Sequence, residues 1–373
     1  MNDDLNLYPI FNENSTAIVF SSSNYFVPYL TTAICSLVVN SVDEYTYDIC
    51  VLHKDISTSN QKEISTFISK KNISIRFVDI SSMKNLNKFK EVKIGGHLSI
   101  ETYFRILIPI IFKNYKKALF LDSDIIILED VQKLCEMDLG EYPLAATEES
   151  LLSGQMGPDG RKKDRYYSQF LGIKDIDRYF QAGVLLINLE SFRKNDYTTL
   201  LIKNSIEKHY HLADQDALNE LFWNSYLQID KSWNWTPLQK QMKNADYLLN
   251  MAPAIRERYL STYNPKIIHF ADRNKPWLDA EEDYATLWWK YARQTPFYEL
   301  ALARLSQALV RQKELTAIWC SLQGLGFYIR MVRYAILTKV ASGKKREHWA
   351  KKYEHCLAIM RKIKSSKKIK LDI

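Results

Sequence analysis

Apolar residues in this chain come in short runs broken by polar turns. Thr16–Ser21 (TAIVFS) has the length and character of a buried strand, and Tyr47–Leu52 and Ile73–Ile80 follow as a second and a third. Between them the spacing changes to a helical one. Pro28, suited to the first turn of a helix, opens a pattern with Tyr29, Ala33, Ser36 and Leu37 on one side. Ser57–Lys70 is a second helix, with Ser and Thr at its start. A third helical pattern, Ser99–Phe112, leads into two runs, Ala118–Leu121 and Ile125–Leu128, each apolar on both faces as a buried strand is. Residues 148–177 are polar and Gly-containing and read as a mobile excursion on the binding side or as a plain surface loop. Tyr179–Leu189 returns to strand character, Tyr210–Phe222 contains a helix through Ala217, Leu218, Leu221 and Phe222, and Ile267 begins a short strand followed by a loop. Strands alternating with helices predict an α/β fold with a largely parallel sheet. Ligands on such sheets bind beyond the carboxyl ends of the strands.

Two polar turns are expected at that edge, Ser21–Asn24 and the triplet Asp122, Ser123, Asp124. Two carboxylates wedged between buried strands are costly unless something neutralises them. Residues i and i+2 converge on one ion where a strand turns at its end, and oxygen ligands suit Mg²⁺ or Mn²⁺. A bare Asp-x-Asp is common in polar turns; the buried runs on both sides favour the metal here. Arg105 precedes the strand, where a guanidinium can grip two phosphate oxygens. Ala182 and Gly183 allow a close approach to the backbone. Asp214 stands at a helix start, where a carboxylate caps or points outward. His269 follows a strand, and Lys275 lies six residues on, in a Pro-containing turn within reach of an anion.

The chain has 373 residues, 46% of them hydrophobic, enough for one large domain with an appendage or for two domains. Five cysteines are scattered and never in C-x-x-C spacing, which points to a reducing compartment and against a zinc knuckle. The first residues, MNDDLNLYPI, do not resemble a secretory signal, and no apolar run approaches membrane-spanning length. The net charge of +8 is confined to residues 344–373, with eleven Lys/Arg against three Asp/Glu, leaving forty of each sign elsewhere. The body is therefore not a nucleic-acid binder by bulk charge. Asp279–Ala341 reads as aromatic-rich helices. In a last helix near Glu347–Ile363, Trp349, Tyr353, Cys356, Met360 and Ile363 recur at 4-3-4-3 spacing among Lys and Arg. That stripe suits a packing face or a basic amphipathic segment drawn to anionic lipid. The division expected is 1–280 and a helical 281–373 with a basic tail.

Five blocks in order, IVFSSSNYFVPYL, HLSIETYFRILIP, ALFLDSDIIILEDV, YFQAGVLLINLESFR with HLADQDALNELF, and HFADRNKPW, resemble the retaining glycosyltransferases of family 8. This is the group of bacterial lipopolysaccharide α-galactosyl- and glucosyltransferases to which glycogenin is related. The resemblance spans roughly Ala17 to Trp277. It implies a GT-A, Rossmann-like nucleotide-sugar-binding fold, a UDP-sugar donor (UDP-galactose or UDP-glucose) and Mn²⁺ or Mg²⁺. By motif match Asp122, Asp124 and His269 would ligate the metal, and Lys275 would meet the diphosphate. His97 and Arg105 would face the diphosphate and sugar. Ser21, Ser22, Ser23 and Tyr25, with Ser123, would face the nucleotide. Gln181, Ala182, Asp214 and Gln215 would surround the donor sugar, and Asp216 completes that triplet.

Four positions depart from the family pattern: Ser23 and Tyr25 stand where Asp and Asn are usual, Gln181 replaces Asn, and Asp272 replaces Gly. The chemistry implied is transfer of a hexose to a cell-surface glycan or lipid-linked acceptor, as in lipopolysaccharide or capsule synthesis. Mn²⁺ and Lys275 would stabilise the leaving diphosphate. Gln215 is a neutral amide and a poor nucleophile, which favours attack on the face of the departing group; Asp216 as a covalent nucleophile stays open. The expected setting is cytoplasmic, peripheral on the inner membrane face. An inactive UDP-sugar-binding protein and a metal-dependent nucleotidyltransferase are the alternatives.

Overall fold

The computed structural model describes residues 5, 7–12, 15–89, 92, 100–238, 242, 245–271, 275–311, 333–334, 336–337 and 342–354. The chain divides into two compact units, Met1–Leu305 and Ser306–Ile373. The strands of the first unit are β1 (Ala17–Ser21), β2 (Tyr47–His53), β3 (Ile73–Asp79), β4 (Lys117–Leu121), β5 (Ile125–Ile127), β6 (Leu144–Glu148), β7 (Phe180–Asn188), β8 (Leu227–Gln228) and β9 (Ile267–His269). Seven of them form one sheet in the order β3-β2-β1-β4-β7-β6-β8, and β5 pairs with β9 in a second.

The expected α/β architecture is present. β1 lies between parallel neighbours β2 and β4, so the chain winds outward through β3 and then returns across β1 to β4. This reversal opens a crevice at the carboxyl ends of β1 and β4. The sheet is largely parallel, as expected, with one exception: β7 runs antiparallel to both β4 and β6. The connection from β6 to β7 stays on the ligand edge of the sheet. β7 therefore starts at that edge, and its first residues, Gln181–Gly183, lie beside the end of β4.

Alternation along the strands fills both faces. Ala118 and Phe120 of β4 join Ala17, Val19, Cys50 and Leu52 in one layer, while Leu119 and Leu121 join Ile18, Phe20, Ile49 and Val51 in the other. Helix Val27–Val39 is buried from Val27 to Leu37 instead of along one side. It has two partners: Val27, Leu30, Ala33 and Ile34 pack on the sheet, and Tyr29 and Cys35 pack among Trp277, Trp288 and Tyr291.

Residues 149–179 are folded, not a loop. Helix Ser150–Lys163 is broken at Gly157 (φ 61°, ψ 178°), a π-helical turn covers Tyr166–Phe170, and a 3-10 turn covers Ile176–Arg178. The break at Gly157 resets the helical phase, which hides the period in the sequence although Leu151, Leu152, Tyr167 and Leu171 are buried.

Among the described residues no helix is long and apolar enough to cross a membrane. In the second unit Tyr334 stacks on Trp349 with ring centroids 5.7 Å apart, and Lys352 lies over both rings. Cys356, Met360 and Ile363 of the expected stripe fall outside the described residues.

Candidate functional site

β4 ends at Leu121, and the chain leaves the sheet there. The Asp122 N–H donates to Gly183 O of β7 (2.8 Å), and Phe270 N, just past β9, donates to Asp124 O (2.9 Å). One aspartate is thus fastened to the main sheet and the other to the small one, whose register sets Ile125 opposite His269. Ligand atoms of Asp122, Asp124 and His269 consequently lie within 4.8 Å of one another. His269 Nε2 is 3.1 Å from Asp124 Oδ1 and 3.6 Å from Asp122 Oδ2. Its Nδ1 is 2.9 Å from Asn234 Oδ1.

Burial pushes the Asp122 carboxyl up, against the pull of Arg105. Burial also acts on Asp124, but Lys275 and His269 outweigh it and hold that carboxyl well below the usual carboxylate range. Lys275 Nζ donates to Asp124 Oδ2 (2.6 Å) and to Phe270 O. The Lys275 loop is braced from behind: Trp277 stacks on Tyr29 at 4.1 Å, and Trp289 Nε1 donates to Pro276 O (3.0 Å). Both bracing contacts depend on the aromatic layer around helix Ala285–Ala292.

Both ring nitrogens of His269 face acceptor oxygens. Two carboxylates and one imidazole nitrogen in so small a volume are a donor set suited to a hard or borderline divalent cation. The approach demands Gly183. A Cβ there would lie 2.1 Å from His269 Cε1 and 2.6 Å from Asp122 Oδ2. What comes close to the backbone at this point is the candidate metal-ligand set.

Arg105 links this cluster to the start of helix Ala213–Phe222. Its Nη2 donates to Asp122 Oδ1 (2.9 Å), its Nε is 2.7 Å from Asp214 Oδ2, and its Nη1 donates to Ala182 O. Thr102 Oγ1 donates to Asp214 Oδ1. Burial lifts Asp214 to about 6 in spite of Arg105. Gln215 Oε1 accepts from Ala182 N–H (2.9 Å), so Asp214, Gln215 and Ala182 form one wall beside the carboxylates. Asp216 points elsewhere. It is 0% exposed. Its oxygens accept from Tyr179 OH (2.6 Å), Tyr166 OH (2.6 Å) and Leu212 N–H (2.7 Å).

The first turn reaches the cluster through Ser123, whose Oγ donates to Ser21 O (2.9 Å). Ser22 is buried with its N–H on Leu52 O, and Ser23 O accepts from Phe26 N–H. Tyr25 is 59% exposed and faces Arg304, whose guanidinium is 4.1 Å from the ring centroid. These residues contact the edge of the site and not the carboxylates. His97 and Asp272 lie outside the described residues. Gln181 turns inward: its Oε1 accepts from Gly183 N–H (2.6 Å) and from Asn234 Nδ2 (2.6 Å).

Sequence reasoning missed Asn234, Thr102, Tyr166 and Tyr179. A signal existed for Asn234 alone, a single amide between two tryptophans in the stretch Ser232–Thr236. A polar side chain so enclosed must be hydrogen-bonded if buried.

The sequence profile described as glycosyl transferase family 8 matches residues 17–281. General stress protein A of Bacillus subtilis (strain 168) is 28% identical over 269 residues, covering 70% of this chain and 86% of that one. Among solved structures, the apo form of the bifunctional glycosyltransferase WbbM superposes with a TM-score of 0.70 at 26% identity, covering 80% of this chain and 53% of that one. The chain thus spans about half the length of WbbM. The galactosyltransferase LgtC, in complex with donor and acceptor sugar analogs, superposes with a TM-score of 0.62 at 24% identity, covering 75% and 96%.

Proposed function

The chain belongs to glycosyl transferase family 8 and has the GT-A-type fold, and from that premise we propose that it transfers a hexose, galactose or glucose, from a UDP-sugar to a cell-surface glycan or lipid-linked saccharide. The observation that carries this reading is the convergence of Asp122, Asp124 and His269 at the carboxyl end of β4, beside the wall formed by Asp214, Gln215 and Ala182. Asp122, Asp124 and His269 would hold Mn²⁺ or Mg²⁺. When bound, that cation supplies Lewis acidity toward the diphosphate oxygens.

The protein's own groups account for the rest. Lys275 presents its ammonium on the same carboxylate as the cation site, where it stabilises charge gathering on the departing UDP. Arg105 holds Asp122 and Asp214 at fixed separation, so the donor-sugar wall and the metal carboxylates are set by one buried guanidinium. Asp216 anchors the helix start, since both its oxygens are occupied by tyrosine hydroxyls and a backbone N–H. This supports same-face attack with retention: the anomeric carbon–oxygen bond to the diphosphate breaks as the acceptor oxygen bonds to the same face. The acceptor proton passes to a phosphate oxygen of the leaving UDP.

The basic stretch 344–373 would attach the protein to the inner, anionic membrane face, near a lipid-linked acceptor. The test is incubation with UDP-galactose and UDP-glucose in the presence of Mn²⁺, following UDP release and the configuration of the product. Release should vanish in chelator and in Asp124→Ala. Binding without release would mark a sugar-nucleotide-binding protein, and sugar 1-phosphate in place of UDP, released as UMP is transferred, a nucleotidyltransferase; either outcome refutes the proposal.

A further inference from the structure

The three side chains behind the carboxylates form a relay whose polarity is fixed at one end. Gly183 N–H is a backbone donor and cannot reverse. The side-chain atom 2.6 Å from it must therefore be the Gln181 carbonyl oxygen, Oε1. That oxygen is also 2.6 Å from the Asn234 amide, so the Asn234 atom facing it must be the donor, Nδ2. The other Asn234 atom is then Oδ1, an acceptor, and it faces His269 Nδ1 at 2.9 Å. A nitrogen at that distance from an amide oxygen must carry the proton. Gly183 N–H thus sets the ring of His269 through two amides: Nδ1 keeps its hydrogen, so Nε2, which lies between Asp122 and Asp124, is the nitrogen that would give its lone pair to a bound cation. All three side chains are buried, Gln181 at 6%, Asn234 at 0% and His269 at 1% exposure, so water does not compete for these bonds.

We propose that Asn234 and Gln181 are positioning residues that hold His269 in the Nδ1–H tautomer and aim Nε2 at the cation. β7, which carries both Gln181 and Gly183, supplies the directionality through Gly183 N–H. Outer partners of this kind fix the tautomer and orientation of metal-binding histidines, and their loss costs about 10–100-fold in metal affinity. The proposal rests on the cation reading of the preceding section. It also gives a reason for Gln at position 181: its carbonyl is spent on the relay and not on the donor sugar.

The test uses the full chain. Long-range ¹⁵N–¹H correlations report which ring nitrogen of His269 carries hydrogen, in metal-free and Mg²⁺-loaded protein, and electron paramagnetic resonance counts free Mn²⁺ in a titration without donor. Nδ1 of the wild-type protein should be protonated in both forms. Asn234→Leu removes the acceptor, and Gln181→Met frees the Asn234 amide to turn. Each should weaken Mn²⁺ binding by about 10–100-fold and scatter the Nδ1 resonance. Gln181→Glu keeps an acceptor for both donors and should leave the Nδ1 proton in place. A bare Nδ1 in the wild type, or an Asn234→Leu protein that folds and binds Mn²⁺ as the wild type does, overturns the proposal. Should Asn234→Leu fail to fold, the wild-type spectrum and Gln181→Met decide. A wild-type protein that binds no Mn²⁺ yet shows Nδ1–H sinks the cation reading and leaves the relay standing.

Discussion

Gly183→Ala isolates the packing of the metal cluster from every change of charge. Its backbone is that of an ordinary residue in β7, so alanine is conformationally allowed, and in open space it would stabilise the protein by about 0.4–1 kcal/mol. Space is what is lacking. The new methyl would sit 2.1 Å from His269 Cε1, 2.7 Å from His269 Nδ1 and 2.6 Å from Asp122 Oδ2, whereas ordinary contact begins at 3.4 Å. More than 1 Å must be found. His269 cannot yield it freely, because its Nδ1 is held by Asn234 and the ring is buried. Nor can β7 withdraw without loosening the Asp122 N–H bond to Gly183 O. Overpacking of this kind costs about 1–3 kcal/mol of stability. Displacement of a catalytic group by about 1 Å costs on the order of 100-fold in rate, or roughly 2.7 kcal/mol. The expected result is therefore at least a ~100-fold loss of Mn²⁺-dependent UDP release, measured as kcat/KM at a temperature where the variant is fully folded. A folded Gly183→Ala protein within about threefold of wild-type activity would refute the reasoning, since about 0.7 kcal/mol is all that such a change represents.

Asp216→Asn should lower the stability read from the denaturation midpoint by about 1–3 kcal/mol, because Leu212 N–H and two tyrosine hydroxyls lose a charged acceptor. Turnover per folded molecule should survive; its collapse in folded protein would restore Asp216 as a nucleophile. Asp214 is lifted by burial to about 6, above its unfolded value, so stability is lost as pH rises from the carboxylate range through about 6 and is level beyond it. Asp214→Asn removes this titration, so the stability of the metal-free variant relative to the wild type should be more favourable at about pH 7.5 than at about pH 5; a difference that is equal at both values in denaturant contradicts this. A chain ending at Ala341 should keep releasing UDP and stop co-sedimenting with anionic vesicles, and the full chain's binding should fall steeply with salt. Undiminished sedimentation of the shortened chain would remove residues 344–373 from the attachment.

The parts of this molecule that were legible in the sequence are those whose residue type states their task. A strand such as Ala118–Leu121 is apolar because it is buried on both sides, and the structure buries it completely. Asp122 and Asp124 stood out because carboxylates have no reason to interrupt such runs unless something holds them. The antiparallel course of β7 was not legible. Its sequence is as apolar as a parallel strand's, and its direction is decided by the path of residues 149–179, whose period is broken at Gly157.

The ligands and their supports differ in the same way. His269 and the aspartates carry their chemistry in the side chain itself. Asn234 and Gln181 are common amides that acquire a direction only from what they face, and the source of that direction is the main chain of Gly183. Backbone donors are identical at every residue, so no sequence pattern records which one will be used. The same glycine does two physically separate jobs here: it has no Cβ, which lets His269 and Asp122 approach, and its N–H orients the ring that approaches. A substitution at 183 that spared the space but removed the N–H is impossible with ordinary side chains. The two roles are therefore separable only from the other end of the relay, at Gln181 and Asn234.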